Sequence, residues 1–199
     1  MKKLSILSVL LALPMSAFAD STNIRPFVGY NINLASTINS KIDQNDRNVV
    51  KSDTITFNDD NTGDFIVGIE IDDIMALSLN AQINKTKTKV TDAGTTTEKG
   101  NELLAELDFY LTRNSNFKPF VSLSAGYVSM DGGYKTSGAL FGFGIGCRQY
   151  LTNNIYLSAD LSYNFSTDMS IKQVNGLDVD NVSMHMSGFG LGVSAGYRF

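Results

Sequence analysis

Few residues in this 199-residue chain are able to do chemistry, and they are unevenly placed. Glu70, Glu102, Glu106, Asp108 and Asp160, with Arg25, Arg148 and Arg198, all fall on one phase of segments whose residues alternate in polarity. Neighbouring carboxylates such as Glu106 and Asp108 can divide general acid and general base between them. The same charges can instead pair into a plug, or line a cation-preferring path. His185 is the only histidine, and Ser187 follows two residues later on the same side of an extended chain, a base beside a nucleophile. Such a pair also needs an acid to orient the imidazole. No carboxylate shares that side nearby, because Asp178 and Asp180 sit in the loop before it. Asp59-Asp60-Asn61 is acidic enough to attract a divalent cation but lacks the spacing of an EF-hand loop. One cysteine, Cys147, excludes an internal disulfide and any Cys-cluster metal site. No residue set points to a cofactor.

The elements that must carry these residues are strands. At the end of the chain Phe189, Leu191, Val193, Ala195, Tyr197 and Phe199 alternate with glycine, serine and Arg198. Successive side chains of a strand point to opposite faces, so this segment has one apolar face and one small or polar face. Seven more segments repeat the pattern, over roughly 28–34, 65–71, 75–83, 103–111, 121–127, 141–147 and 155–165. The links between them alternate in length. Long ones are expected over about 37–62, 85–100, 129–137 and 166–183, and short ones at Asp72-Asp73-Ile74, Asn114 to Lys118 and Thr152-Asn153-Asn154. Long loops on one side and tight turns on the other fit an up-and-down antiparallel barrel across an outer membrane.

Charge placement separates that barrel from a soluble one with an apolar interior. All nine lysines after Lys3 fall in expected loops or turns, Lys118 among them, and the polar strand face is mostly glycine, serine and asparagine. A water-washed face has no reason to avoid lysine. The interior of an eight-stranded barrel does favour small residues, because it is barely wide enough for its own side chains. The expected fold is therefore all-β, an eight-stranded antiparallel transmembrane β-barrel, closed by pairing of the first and last strands because hydrocarbon leaves no water for an open edge. Arg25 and Glu70 are expected at similar depth near the periplasmic end, where they can pair. Tyr30, Tyr127, Tyr163, Phe165, Tyr197 and Phe199 lie toward strand ends and suit an interfacial girdle in a chain without tryptophan. Five lumen-phase acids against three bases leave either a salt-bridged plug or a narrow conduit along Glu106 and Asp160. A filled lumen leaves no room for a substrate between the carboxylates.

Met1-Lys2-Lys3, an apolar stretch to Phe18 and the ending Ala17-Phe18-Ala19 read as a signal peptide over 1–19, cleaved before Asp20, with the barrel domain over 20–199. Removing Lys2 and Lys3 from the 16 basic residues leaves 14 against 20 acidic ones, a net charge of −6. That balance excludes nucleic acid as a partner, since phosphate contacts need clustered Lys and Arg. Mean hydropathy is −0.04, with 43% hydrophobic and 18% charged residues, which rules out a polytopic helical membrane protein. Alternation explains the near-zero average, because each apolar residue stands beside a polar one.

The ending Gly196-Tyr197-Arg198-Phe199 and the segment from Phe143 to Leu151 resemble the small outer-membrane β-barrels of the OmpA, OmpX and opacity-like kind, as does Lys118-Pro119-Phe120-Val121 leading into a strand. The resemblance spans essentially all of 20–199. It implies location in the outer membrane with lipid as solvent. It also implies biogenesis through periplasmic chaperones and the barrel-assembly machinery, which reads Phe199 with Tyr197 as its signal. The Asn, Asp, Thr and Lys content of the long loops itself suits surface exposure, adhesion-like contacts to a host or surface ligand, or lipid-headgroup packing. Outer-membrane lipid A deacylases are similar in one respect, a His-x-Ser pair on the lipid side of a strand. The sequence thus favours a non-enzymatic structural or surface-interaction barrel, with a conduit and, more remotely, a lipid A hydrolase as alternatives.

Overall fold

The computed structural model describes residues 23–46, 49–59, 63–91, 94–131, 134–174, 177–178 and 182–199, with side chains over 23–35, 63–82, 100–131, 135–172 and 182–199. The expected leader lies outside these residues, as do Asp60, Asn61 and Asp180 and the side chains of Asp59 and Asp178.

The strands are β1 (Ile24–Asp46), β2 (Val49–Asp59), β3 (Gly63–Ile71), β4 (Met75–Thr91), β5 (Gly94–Tyr110), β6 (Phe117–Asp131), β7 (Tyr134–Tyr150), β8 (Ile155–Ser166), β9 (Met169–Val174), β10 (Leu177–Asp178) and β11 (Val182–Arg198). They form one antiparallel sheet closed by β1 against β11, with Val28 opposite Tyr197 and Ile32 opposite Val193. β2 and β3 both lie between β1 and β4, and β8 and β9 both lie between β7 and β11, so the wall is eight strands thick around its circumference. Closure leaves no edge to be satisfied in hydrocarbon.

The expected long loops are largely strand. β1 continues to Asp46, the β4–β5 ladder runs from Met75↔Phe109 to Thr91↔Gly94, and β6 reaches Asp131. Backbone hydrogen bonds make a ladder whatever the polarity of its side chains, and threonine, valine and isoleucine at 54–57 and 86–97 favour extended backbone. The polarity alternation therefore marks only the stretch that meets lipid. On the opposite side the turns are tight. Asp72 and Asp73 both have positive φ, 53° and 54°, and Ile74 N–H closes on Ile71 at 2.9 Å, the two-residue turn whose twist matches paired strands.

The apolar phase faces outward. Leu34, Phe65, Leu123, Phe143, Ile145 and Phe189 are more than half exposed on the outer wall, and ring pairs such as Phe143–Tyr163 and Tyr163–Phe189 run across it. Two buried clusters fill the bore instead. Phe27, Ala76, Tyr110, Phe120, Tyr150 and Tyr156 occupy the end with the tight turns, and Val128, Met130, Leu140, Met169, Ile171, Met184 and Met186 the other.

Candidate functional site

The bore is the candidate site, and Glu70 organises its periplasmic end. Its carboxylate is 1% exposed and accepts hydrogen bonds from Lys118 Nζ at 2.7 Å, Arg198 Nη1 at 2.9 Å, Tyr110 Oη at 3.4 Å and Tyr150 Oη. The partners come from β6, β11, β5 and β7, so one carboxylate ties together strands from around the wall. Each cation is also held from the side. Lys118 lies 4.8 Å from the Tyr110 ring centroid, and the Arg198 guanidinium 4.0 Å from that of Tyr150. Arg198 further donates to Asn153 O at 2.8 Å, tying the last strand to the turn at 151–154.

Two expectations are corrected here. Lys118 is not in a turn. It is the second residue of β6 with its side chain in the lumen, because Pro119 and the alternation of β6 put residue 118 on the inward phase. Arg25 does stand opposite Glu70 in the ladder, but its ion pair is to Asp73 at 3.8 Å. It sits half-buried at the mouth, while Lys118 and Arg198 reach Glu70 from within. Lys118 Nζ also meets Asp73 Oδ1 at 2.5 Å. In the turn, Asp73 is held at about 2 by a hydrogen bond with Glu70 and by the Lys118 ammonium, against burial that pushes it up.

Arg148 forms the next layer. It donates to Asp108 Oδ2 at 3.2 Å and to Tyr110 Oη, and its guanidinium is stacked 4.7 Å from Tyr156 and 5.0 Å from Phe27. Gly29 makes space for this layer, since a Cβ there would lie 2.6 Å from Tyr156 Oη. Beyond it lies a polar cavity of about 130 Å³ lined by Glu102, Glu106, Asp108 and Asp160 among asparagines and serines. Glu106 accepts from Asn80 Nδ2 at 2.6 Å. Gly192, opposite Asp160 in the ladder, leaves room for the Asp160 carboxylate and Asn31; a Cβ would come within 2.8 Å of the first. The methionine-rich cluster then fills the bore on the extracellular side.

Of the lumen charges read from sequence, Glu70 and Arg198 meet at one end, Asp108 and Arg148 meet above them, and Glu102, Glu106 and Asp160 face the cavity. Sequence reasoning missed the inward aromatics Tyr110, Phe120, Tyr150 and Tyr156 and the methionines. The signal was there for the aromatics and for Met184 and Met186, which lie on the phase assigned to the lumen; Met130 and Met169 fall in stretches expected to be loops. Tyr197 and Phe199 project from the outer wall, their rings T-shaped at 5.1 Å. The Phe199 N–H donates to Pro26 O at 2.8 Å, locking the last residue onto β1.

On the outer wall, His185 Nδ1 lies 3.1 Å from Asp168 Oδ1. Met169 stands opposite Met184 in the β9–β11 ladder, so Asp168 just before it brings an acid to the imidazole from 17 residues away, which corrects the expectation that none is near. Both side chains are solvated, His185 47% and Asp168 82% exposed, so the pair is screened. Cys147 is on the outward phase and half-buried.

A family model described as the outer membrane protein beta-barrel domain matches residues 5–199. No curated protein matches the chain by sequence. Among solved structures it is similar to the outer membrane protein AlkL in lipid bilayers, at 17% identity and a TM-score of 0.61, covering 92% of this chain and 94% of that one. It is similar also to the outer membrane protein OprG of Pseudomonas aeruginosa, at 16% identity and 0.57, covering 88% and 96%. At these identities the likeness concerns the fold.

Proposed function

Because the chain belongs to the outer membrane protein beta-barrel domain family, and so resides in the outer membrane, we propose that it serves there as a non-enzymatic structural or surface-interaction barrel with a largely plugged lumen. The observation that carries this is the pair of side-chain plugs in series, Glu70 with its cations and aromatics at one end and the methionine cluster at the other. Eight strands leave an interior just wide enough for side chains, and here large ones occupy both ends. Strands continue past the apolar band, so any contact to a host or surface ligand falls on the ladder extensions and their tips. Tyr197 and Phe199, outward at the end of β11, suit recognition by the barrel-assembly machinery after delivery by periplasmic chaperones.

The rival is a narrow conduit along Glu106 and Asp160. Planar-bilayer recording on the refolded full chain decides between them. No reproducible single-channel steps are expected. Steps that disappear in a Glu106→Gln, Asp160→Asn variant would replace the plug with a cation path.

The Asp168–His185 contact favours one further reading, a hydrolase acting on lipid A through Ser187. Its solvated acid argues for a weak orienting effect. Lipid A from cells overproducing the protein is expected to keep all its acyl chains. Loss of a chain that is restored by Ser187→Ala would establish the hydrolase.

A further inference from the structure

The outer wall carries a feature that neither the plug nor the girdle explains. A groove of about 400 Å³ crosses β5, β6, β7 and β9, lined by Asn101, Tyr127, Asp131, Lys135, Ser137 and Lys172. Its latitude follows from the ladder. Tyr127 stands opposite Leu103 and Ala139 at the upper part of the exposed apolar band, and two residues further out Ser129 stands opposite Asn101 and Ser137. Two residues of strand rise about 7 Å, so the groove begins where acyl chains end and headgroups start.

Its charge is unusual for an acidic chain. Lys135 lies on β7 opposite Gln173, the residue after Lys172, so the two ammonium groups are carried by adjacent strands. Thr136 Oγ1 donates to Ser170 O at 3.0 Å and fixes those strands together. Both lysines are exposed, and among the described residues neither forms an ion pair, although Asp131 lines the same groove. Lysine stems can lie along apolar surface while the ammonium stays at the interface.

We propose that this groove binds the phosphorylated headgroup of an outer-leaflet lipid. Lys135 and Lys172 take the phosphate, Asn101 and Ser137 supply hydrogen bonds beside it, and Asp131 accepts from hydroxyls of the headgroup. Tyr127 packs against the start of the acyl chains. The inference rests only on the membrane placement of the barrel and stands whether or not the lumen conducts.

Native mass spectrometry of the refolded full chain with lipid A or phosphatidylcholine tests it. Lipid A should be retained in preference. An interfacial lysine typically adds about fivefold, so Lys135→Gln or Lys172→Gln should each weaken retention about fivefold and the double variant about thirtyfold. The Lys135→Arg, Lys172→Arg variant should keep it, and heat-modifiable gel mobility should be unchanged throughout. Equal retention by the wild type and the double Gln variant would overturn the proposal. Complete displacement of lipid A by millimolar inorganic phosphate would also overturn it, showing a free-anion site in place of a headgroup site.

Discussion

Glu70→Ala is expected to cost the barrel about 3–5 kcal/mol, as removing one member of a buried ion-pair network does, because it leaves the surviving charges buried without their partner. Lys118 keeps Asp73, at the rim of the turn, and Arg198 keeps the carbonyl of Asn153 and Asp73 at 3.8 Å, but both lose the buried carboxylate they share. Two tyrosine hydroxyls lose their acceptor with it. The position of the network makes the loss global. Glu70 is on β3 and Arg198 on β11, which flank β1 at its periplasmic end, so their ion pair spans the strand at which the sheet closes. Glu70→Gln should cost less, since the amide still accepts from the hydroxyls and from lysine. Urea unfolding of the refolded protein in detergent, read as the shift of the midpoint at constant slope, measures the cost. The Glu70→Ala, Arg198→Ala double variant should be less destabilised than the sum of the singles, because the second substitution removes a cation the first left unpaired. An alanine variant within 1 kcal/mol of wild type would mean that water or Asp73 can replace Glu70, and the plug would lose its organising residue.

What could be read from the sequence follows from what each signal reports. Alternation records contact with lipid on one side of a strand, so the wall between Val28 and Phe199 was legible in phase. Above the lipid that contrast ends while the backbone ladder continues, so the extensions of β1, β4, β5 and β6 carry the polarity of loops. Lys118 was misplaced for a related reason: a charged residue just before Pro119 resembles a turn, and nothing local shows that Glu70, 48 positions away, waits on the same side of the wall. Tyr110, Tyr150 and Tyr156 lay on the lumen phase, yet alternation says which way a residue points and not whether it fills the bore. The Asp168–His185 pair depends on the β9–β11 ladder, inside a stretch that reads as a loop in the sequence.

The sharpest test of the outward face is a charge placed on it. Leu123 is 57% exposed in the middle of β6, opposite Leu107 and Phe143, which also point outward. An arginine on the lipid face costs about 2–4 kcal/mol at the bilayer midplane and about 0–1 kcal/mol near an interface. Leu123→Arg should therefore destabilise the barrel by the larger amount. Leu111→Arg, at the periplasmic end of β5 where the chain leaves the wall, should do so by the smaller, although Leu111 is 66% exposed and the substitution is chemically the same. The contrast depends on depth alone, which neither exposure nor side-chain chemistry reproduces. Surface substitutions on a water-facing barrel usually stay within 0.5 kcal/mol, so equal and near-zero costs at both positions, measured by denaturant unfolding in bilayers, would turn the apolar wall into an ordinary solvent face. A large cost at Leu123 with little at Leu111 would locate the hydrocarbon along β6. The same scale then extends along that strand to Tyr127, where the acyl region ends and the lysine groove begins.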